Sequence, residues 1–436
     1  MLGALAERVL AEAAPADLDL RVADALNGAF AGLAAREGGV LLDRLRPNDA
    51  AGRAALAAAL IRLSETDDIH LGSCVTPGSV VIPVALALSA ETRGADPERF
   101  DRAVAAGYAA GLRLGTAIGG ARAMEAGVWP TFLAAPLMAA TTAAVLRGCD
   151  AAGLANAMAL ALAGRSGRLG RPVGNDTARW IAFGRAVAGG IEAEADAAAG
   201  FVADTGLVSE AWLAAQSAPH LVDAGALLRP DGPGIDDTGY KPFATARQGA
   251  TAVAALQALL TEEGLDPAAI DRVLVEVPTG SHMLVSRPLA ASDRLSTLSS
   301  AAYQLAAAAL APRLLYDAAR LDAPDARLLD FTGRVETRAA ADLNADWPRS
   351  WPGRVSVAVG GRTLRREVNR LATDAGAEGA EAAVRLKFDR MAGWRPGGLR
   401  LERGSCATGA GRAALWAAFR SHCDDRRKEF DGHAHR

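Results

Sequence analysis

The spacing of apolar residues changes period twice along this chain of 436 residues, and those changes bound the folds open to it. Up to about residue 235 the apolar side chains recur at helical spacing. Ala is the main contributor there, and Ala is the strongest helix former. After residue 270 the pattern alternates. Arg272-Val273-Leu274-Val275-Glu276-Val277 reads as a strand, and Arg354 to Leu364 as a hairpin turned at Gly360-Gly361. Helical spacing returns at about 395. Two domains are the default at this length. The expectation is a mainly α protein: a large all-α helical domain from residues 1–235 plus 395–436, with a smaller α/β lid domain, 240–390, inserted between them. The turn-rich Arg229-Pro230-Asp231-Gly232-Pro233-Gly234 marks the first boundary.

A net charge of −3 and a pI near 6.1 argue against a nucleic-acid partner. Cys74, Cys149, Cys406 and Cys423 share no close metal-ligand spacing, so free thiols in a reducing, cytoplasmic setting are expected and no metal is assigned. The start MLGALAERVLAEAA carries Glu7 and Arg8 inside its apolar pattern, unlike a secretory signal. Two uncharged stretches, Leu71–Ala90 and Gly127–Leu146, are broken by Pro77, Pro83, Pro130 and Pro136. Buried helices of a large α domain explain them better than membrane spans.

Between Arg62 and Glu91 the chemistry concentrates. Glu65, Asp67, Asp68 and His70 fall within six residues, followed by a Gly/Ser/Pro loop and an apolar run from Val80 to Ala90. Carboxylates beside an imidazole at the mouth of a buried helix can supply a general acid or base. The same acids serve equally as a helix N-cap. His70 is the first choice for proton transfer, with Asp68 or Glu65 expected to orient its ring and raise its pKa.

The run Glu65-Thr66-Asp67-Asp68-Ile69-His70-Leu71-Gly72-Ser73-Cys74-Val75-Thr76-Pro77-Gly78, followed by Val81 to Leu88, resembles a fingerprint of the MmgE/PrpD family. That family includes 2-methylcitrate dehydratase, cis-aconitate decarboxylase and iminodisuccinate epimerase, and its pattern reads D-x-D-D-T-H-L-x-S-x-x-H-P-S. Further segments are similar in order: Gly107-Tyr108 with Arg113-Leu114-Gly115, Gly127-Val128-Trp129-Pro130-Thr131 against G-x-H-P-T, and Thr177-Ala178-Arg179 against T-x-K. Tyr240-Lys241-Pro242-Phe243 resembles F-K-P-Y, Ser300 to Ala306 with Tyr303 resembles S-x-x-Y-x-x-A, and Lys387-Phe388 resembles K-F. The chain departs where chemistry is expected. Glu65 stands for an Asp, Thr76 and Trp129 for histidines, and Arg179 for a lysine.

The resemblance implies proton transfer on a small carboxylate substrate without cofactor or metal, in a homodimeric enzyme with its site in a cleft between the domains. His70, Asp68, Glu65 and Tyr303 are the implied proton carriers. Arg179, Lys241 and Arg247 are the implied anion clamps, with Trp129 and Thr76 lining the site. A guanidinium cannot release a proton near neutral pH, so Arg179 keeps the charge of the lysine but not its chemistry. Three functions stay open: a lyase or isomerase of altered specificity (dehydration, decarboxylation or epimerisation), a biosynthetic cyclase or dehydratase on a larger and less charged substrate, and a non-catalytic ligand-binding pseudoenzyme. Tyr303 reads equally as a packing residue on an Ala-rich helix, and Lys241 as a solvated linker residue. At least two of Arg165, Arg168 and Arg171 read as solubilising loop residues.

Overall fold

A computed structural model describes residues 1–15, 18–91, 96–170, 177–289, 294–320, 325–397, 399–401 and 404–434, with side chains to residue 428. The protein is mainly α, as the Ala-rich helical spacing requires. It divides into two compact units, one of Met1–Arg171, Thr177–Gly239 and Ala392–Arg436, the other containing Tyr240–Met391.

The first unit opens with α1 (Leu2–Leu10), α2 (Asp19–Ala34), α3 (Arg36–Leu45) and α4 (Ala50–Ser64). It continues with α5 (Gly78–Ser89), α6 (Pro97–Ala117), α7 (Pro130–Arg147), α8 (Ala151–Leu162) and α9 (Ala178–Ala198). Asp49 caps α4 by accepting the Gly52 N–H at 2.7 Å, and Pro130 opens α7, where its missing N–H costs nothing. Helix α4 packs on α2, α5 and α9, and α7 on α6 and α9. These crossings are close because they are built from small residues. A Cβ at Gly32 would lie 2.1 Å from the Leu60 carbonyl oxygen, and one at Gly190 only 2.4 Å from that of Pro136. The C-terminal helix Gly409–Ala434 returns to this unit, with Phe419 edge-on to Phe30 at 5.6 Å. Asp19 holds the approach to it by accepting the N–H groups of Gly404 and Cys406. The two uncharged stretches lie around α5 and α7, and among the described residues no helix is long and apolar enough to cross a membrane.

The second unit carries a four-stranded sheet in the order Val335–Ala339, Ile270–Val277, Gly353–Val359, Arg362–Val368. The first pair is parallel and the other two antiparallel. Alternation explains it: Val273, Val275 and Val277 are buried, as are Val355 and Val357 on the neighbouring strand. The expected hairpin forms, with Val359 opposite Arg362 and positive φ at Gly360 and Gly361. Helix Arg247–Glu262 lies against the last two strands.

Candidate active site

Helix α4 ends at Glu65, whose φ of 53° is left-handed backbone that favours glycine or asparagine. Its buried carboxylate accepts from Arg62 at 3.1 Å and from Arg179, in the first turn of α9, at 2.5 Å. Asp67 accepts from the other amino group of Arg62. Burial opposes the charge on Arg62, but Asp67 and Glu65 raise its pKa above an ordinary arginine's. Two guanidiniums and two carboxylates thus neutralise one another, the arrangement that makes buried charge tolerable. The Arg179 guanidinium also lies 5.1 Å from the ring centre of Trp129 and 5.4 Å from that of Trp180. Trp129 is half-buried. Its indole N–H donates to the Gly170 carbonyl and its amide to the Gly167 carbonyl, each at 2.9 Å.

Asp68 serves a different purpose. One oxygen accepts the Gly78 N–H at the start of α5 (2.9 Å), the other the Tyr108 hydroxyl of α6 (2.7 Å), with Arg21 at 3.8 Å. Burial pushes its carboxyl up to about 6, with Arg21 and Tyr108 opposing. A Cβ at Gly78 would sit 2.8 Å from that carboxylate, so glycine is required there. Both oxygens are engaged in tying the turn to α5 and α6.

The half-buried His70 faces neither acid in the way expected. Its Nδ1 receives the Ser73 N–H at 3.1 Å and lies 2.9 Å from the Ser73 hydroxyl oxygen. A backbone amide can only donate, so Nδ1 is an acceptor and the ring proton of the neutral form sits on Nε2. Burial pushes the imidazole down to about 4, with Asp237 opposing. The expectation that Asp68 or Glu65 orients this ring and raises its pKa is therefore corrected: Ser73 orients it and the pKa falls. The physical reason is that Glu65 is spent on two arginines and Asp68 on Gly78 and Tyr108. Thr76 is buried in a hydroxyl cluster. Its N–H donates to Thr131 Oγ1 at 3.1 Å, and its own hydroxyl lies 3.4 Å from those of Ser79 and Thr131.

Lys241, Arg247 and Tyr303 belong to the second unit. Tyr303 is buried in the first turn of helix Ala301–Leu310, and burial raises its pKa, with Arg320 opposing from 5.8 Å off its ring centre. Arg247 is buried and donates to both oxygens of Asp374, at 2.6 and 2.8 Å. Lys241 is also buried, and its carbonyl accepts from Lys387 at 2.9 Å, so it is no surface linker residue. Of the loop arginines, Arg168 donates to the Ala126 carbonyl at 2.8 Å, while Arg171 lies outside the described residues. Among the described residues no group of three or more His, Cys, Asp or Glu could hold a metal ion.

Residues 14–218 match the MmgE/PrpD N-terminal domain, and residues 243–398 match the MmgE/PrpD C-terminal domain. The chain belongs to the MmgE/PrpD family. No curated protein matched it. Membership supports an enzyme of dehydratase or lyase type in general. Within that family frame, Glu65, Trp129 and Arg179, three of the four departures found in the sequence, lie in mutual contact through Arg179. Sequence reasoning passed over Ser73, Tyr108 and Thr131. Each stands inside a quoted MmgE/PrpD motif, which was the available signal, but none is a titrating group near neutral pH and none drew attention.

Proposed function

We propose that this protein is a cofactor-independent lyase or isomerase that moves a proton next to a substrate carboxylate, on a substrate less negatively charged than those of the polycarboxylate enzymes it resembles. The observation that supports this reading is the engagement of Arg179 by Glu65 at 2.5 Å, with Trp129 and Trp180 beside the guanidinium. A guanidinium already neutralised and flanked by indoles offers little to a further substrate carboxylate. Separating a buried ion pair costs free energy, because it leaves charge less compensated.

In this reading His70 presents an Nε2–H to the substrate oxygen on which charge grows when the neighbouring carbon loses its proton. Neutral imidazole suits that task, because it donates without first being charged. Tyr303 and Lys241, carried by the second unit, keep as proposals the roles the resemblance implies, proton carrier and anion clamp. Arg247, matched by Asp374, is proposed to steady Lys241's segment. The half-buried indole of Trp129 favours one second reading, a cyclase or dehydratase on a larger, less charged substrate. The protein is further proposed to act as a cytoplasmic homodimer; a scattering mass near the 44.7 kDa of one chain would count against the dimer.

The test is proton exchange in heavy water, followed by NMR, over a panel of mono-, di- and tricarboxylates. Exchange beside the carboxylate of mono- or dicarboxylates, and little with tricarboxylates, is expected. Fast exchange or turnover of tricarboxylates would overturn the charge argument. Binding without exchange anywhere in the panel would point to the pseudoenzyme.

A further inference from the structure

Ser73 has no part in the chemistry above, yet two of its groups converge on one atom of His70. The amide N–H donates to Nδ1 at 3.1 Å, and the hydroxyl oxygen is 2.9 Å from the same nitrogen. Because Nδ1 already accepts the amide, it carries no hydrogen to give, and the hydroxyl must also donate to it. The hydroxyl oxygen in turn accepts the Val75 N–H at 3.3 Å, and the His70 N–H donates to the Val75 carbonyl at 2.9 Å. The turn is therefore closed upon itself, leaving Nε2 as the only ring position for a proton.

Glycines from outside the turn fix its position. A Cβ at Gly115, on α6, would lie 2.5 Å from a Val75 methyl and 3.0 Å from both the Ser73 Cβ and carbonyl oxygen. A Cβ at Gly120, whose φ is +56°, would fall 2.0 Å from the Gly72 carbonyl oxygen. Only hydrogen at these two places lets the surrounding chain press Ser73 against the ring.

We propose that Ser73 is a positioning residue that holds His70 in the Nε2–H tautomer, making the ring a hydrogen-bond donor and not a base, and that Gly115 keeps Ser73 in place. An imidazolium would set a ring N–H against two donors, so protonation is opposed by geometry as well as by burial. Asp237 is the carboxylate acting in the other direction. The proposal rests on the role given to His70 above, but it makes a statement about the ligand-free protein that can fail independently.

Histidine-labelled full-length protein, with the His70 signals identified by their loss in His70→Gln, gives the tautomer directly from ring carbon and nitrogen shifts. The expected spectrum is that of an Nε2–H ring, unchanged from pH 8 to about 5. Ser73→Ala keeps the amide but removes the hydroxyl donor, and the ring's titration midpoint should rise by about half to one pH unit, the equivalent of one hydrogen bond. Gly115→Ala should add a population of the Nδ1–H tautomer. A wild-type ring that is Nδ1–H, or one that titrates near its ordinary value, overturns the proposal. So does a Ser73→Ala spectrum identical to wild type, which keeps the test decisive should Gly115→Ala not fold. A ring held as Nε2–H in a protein that exchanges no carboxylate would uphold the lock while removing the catalytic reading.

Discussion

The turn after α4 has two halves that handle polarity in opposite ways. From Glu65 to Asp67 it carries full charges, each matched within the protein by Arg62 or Arg179. From His70 to Thr76 it carries polar groups without charge, satisfied by Ser73, Thr131 and Ser79. Asp68 sits between them and holds both halves to α5 and α6. The difference teaches what each half is suited to. A buried ion pair set 2.5 Å apart resists rearrangement and defines shape, because separating it exposes uncompensated charge. A neutral donor with a fixed proton can respond to charge that appears only during reaction.

The largest expected effect lies in the neutral half. His70→Gln should lower carboxylate proton exchange by about 10²–10³-fold, the usual cost of one lost donor to a developing oxyanion, while circular dichroism shows the fold retained. An unchanged exchange rate would mean the neutral half does not face the chemistry. In the charged half the effect should fall on stability. Arg179→Ala should cost about 1.5–3 kcal/mol in urea unfolding, the range for a hydrogen bond to a charged group, since Arg62 still holds Glu65. A loss too small to measure would show the pair to be mere decoration.

A third experiment sets the neutral half against Asp68, which joins the halves, through pH. His70 titrates lower in the folded protein (about 4) than in the unfolded chain, so its contribution to stability is present above about 6.5 and is lost as pH falls through about 4. Asp68 is raised to about 6, so its contribution is present below about 4 and is lost as pH rises through 6. Between pH 4 and 6.5, His70→Gln should therefore be less acid-sensitive than wild type, and Asp68→Asn more acid-sensitive than wild type. Denaturation midpoints across that window decide it, and shifts of the same sign in both variants would break the contrast. The smallest effect is expected from Trp129→His combined with Arg179→Lys. Dehydration of 2-methylcitrate or decarboxylation of cis-aconitate should stay negligible, because Glu65 remains to neutralise the new lysine. Robust turnover of either substrate by that variant or by wild type would refute this.

Much of the fold was legible because its cause is local. Ala-rich helical spacing, the alternation at 272–277 and the Gly360-Gly361 turn each act over a few residues. Inside the candidate site, the contacts each residue makes were not legible in the sequence. Glu65 and Arg179 are 114 residues apart, and no periodicity announces that they meet. Asp68 looked like a proton carrier because it is an acid beside a histidine; its engagement depends on Tyr108, 40 residues on. The sequence presents His70 as a group charged by its acidic neighbours. What settles its state is a backbone amide three residues away, a donor that every residue except proline carries and that no composition singles out.

The mooring of Trp129 has a spectroscopic consequence. Its indole is tied to the Gly170 carbonyl and stands 5.1 Å from a cation, so its emission should be partly quenched and sensitive to either contact. Seven tryptophans share the spectrum, but subtracting that of Trp129→Phe isolates this one. The protein thus contains its own optical reporter for anything that draws Arg179 away from the indole, readable before any substrate has been identified.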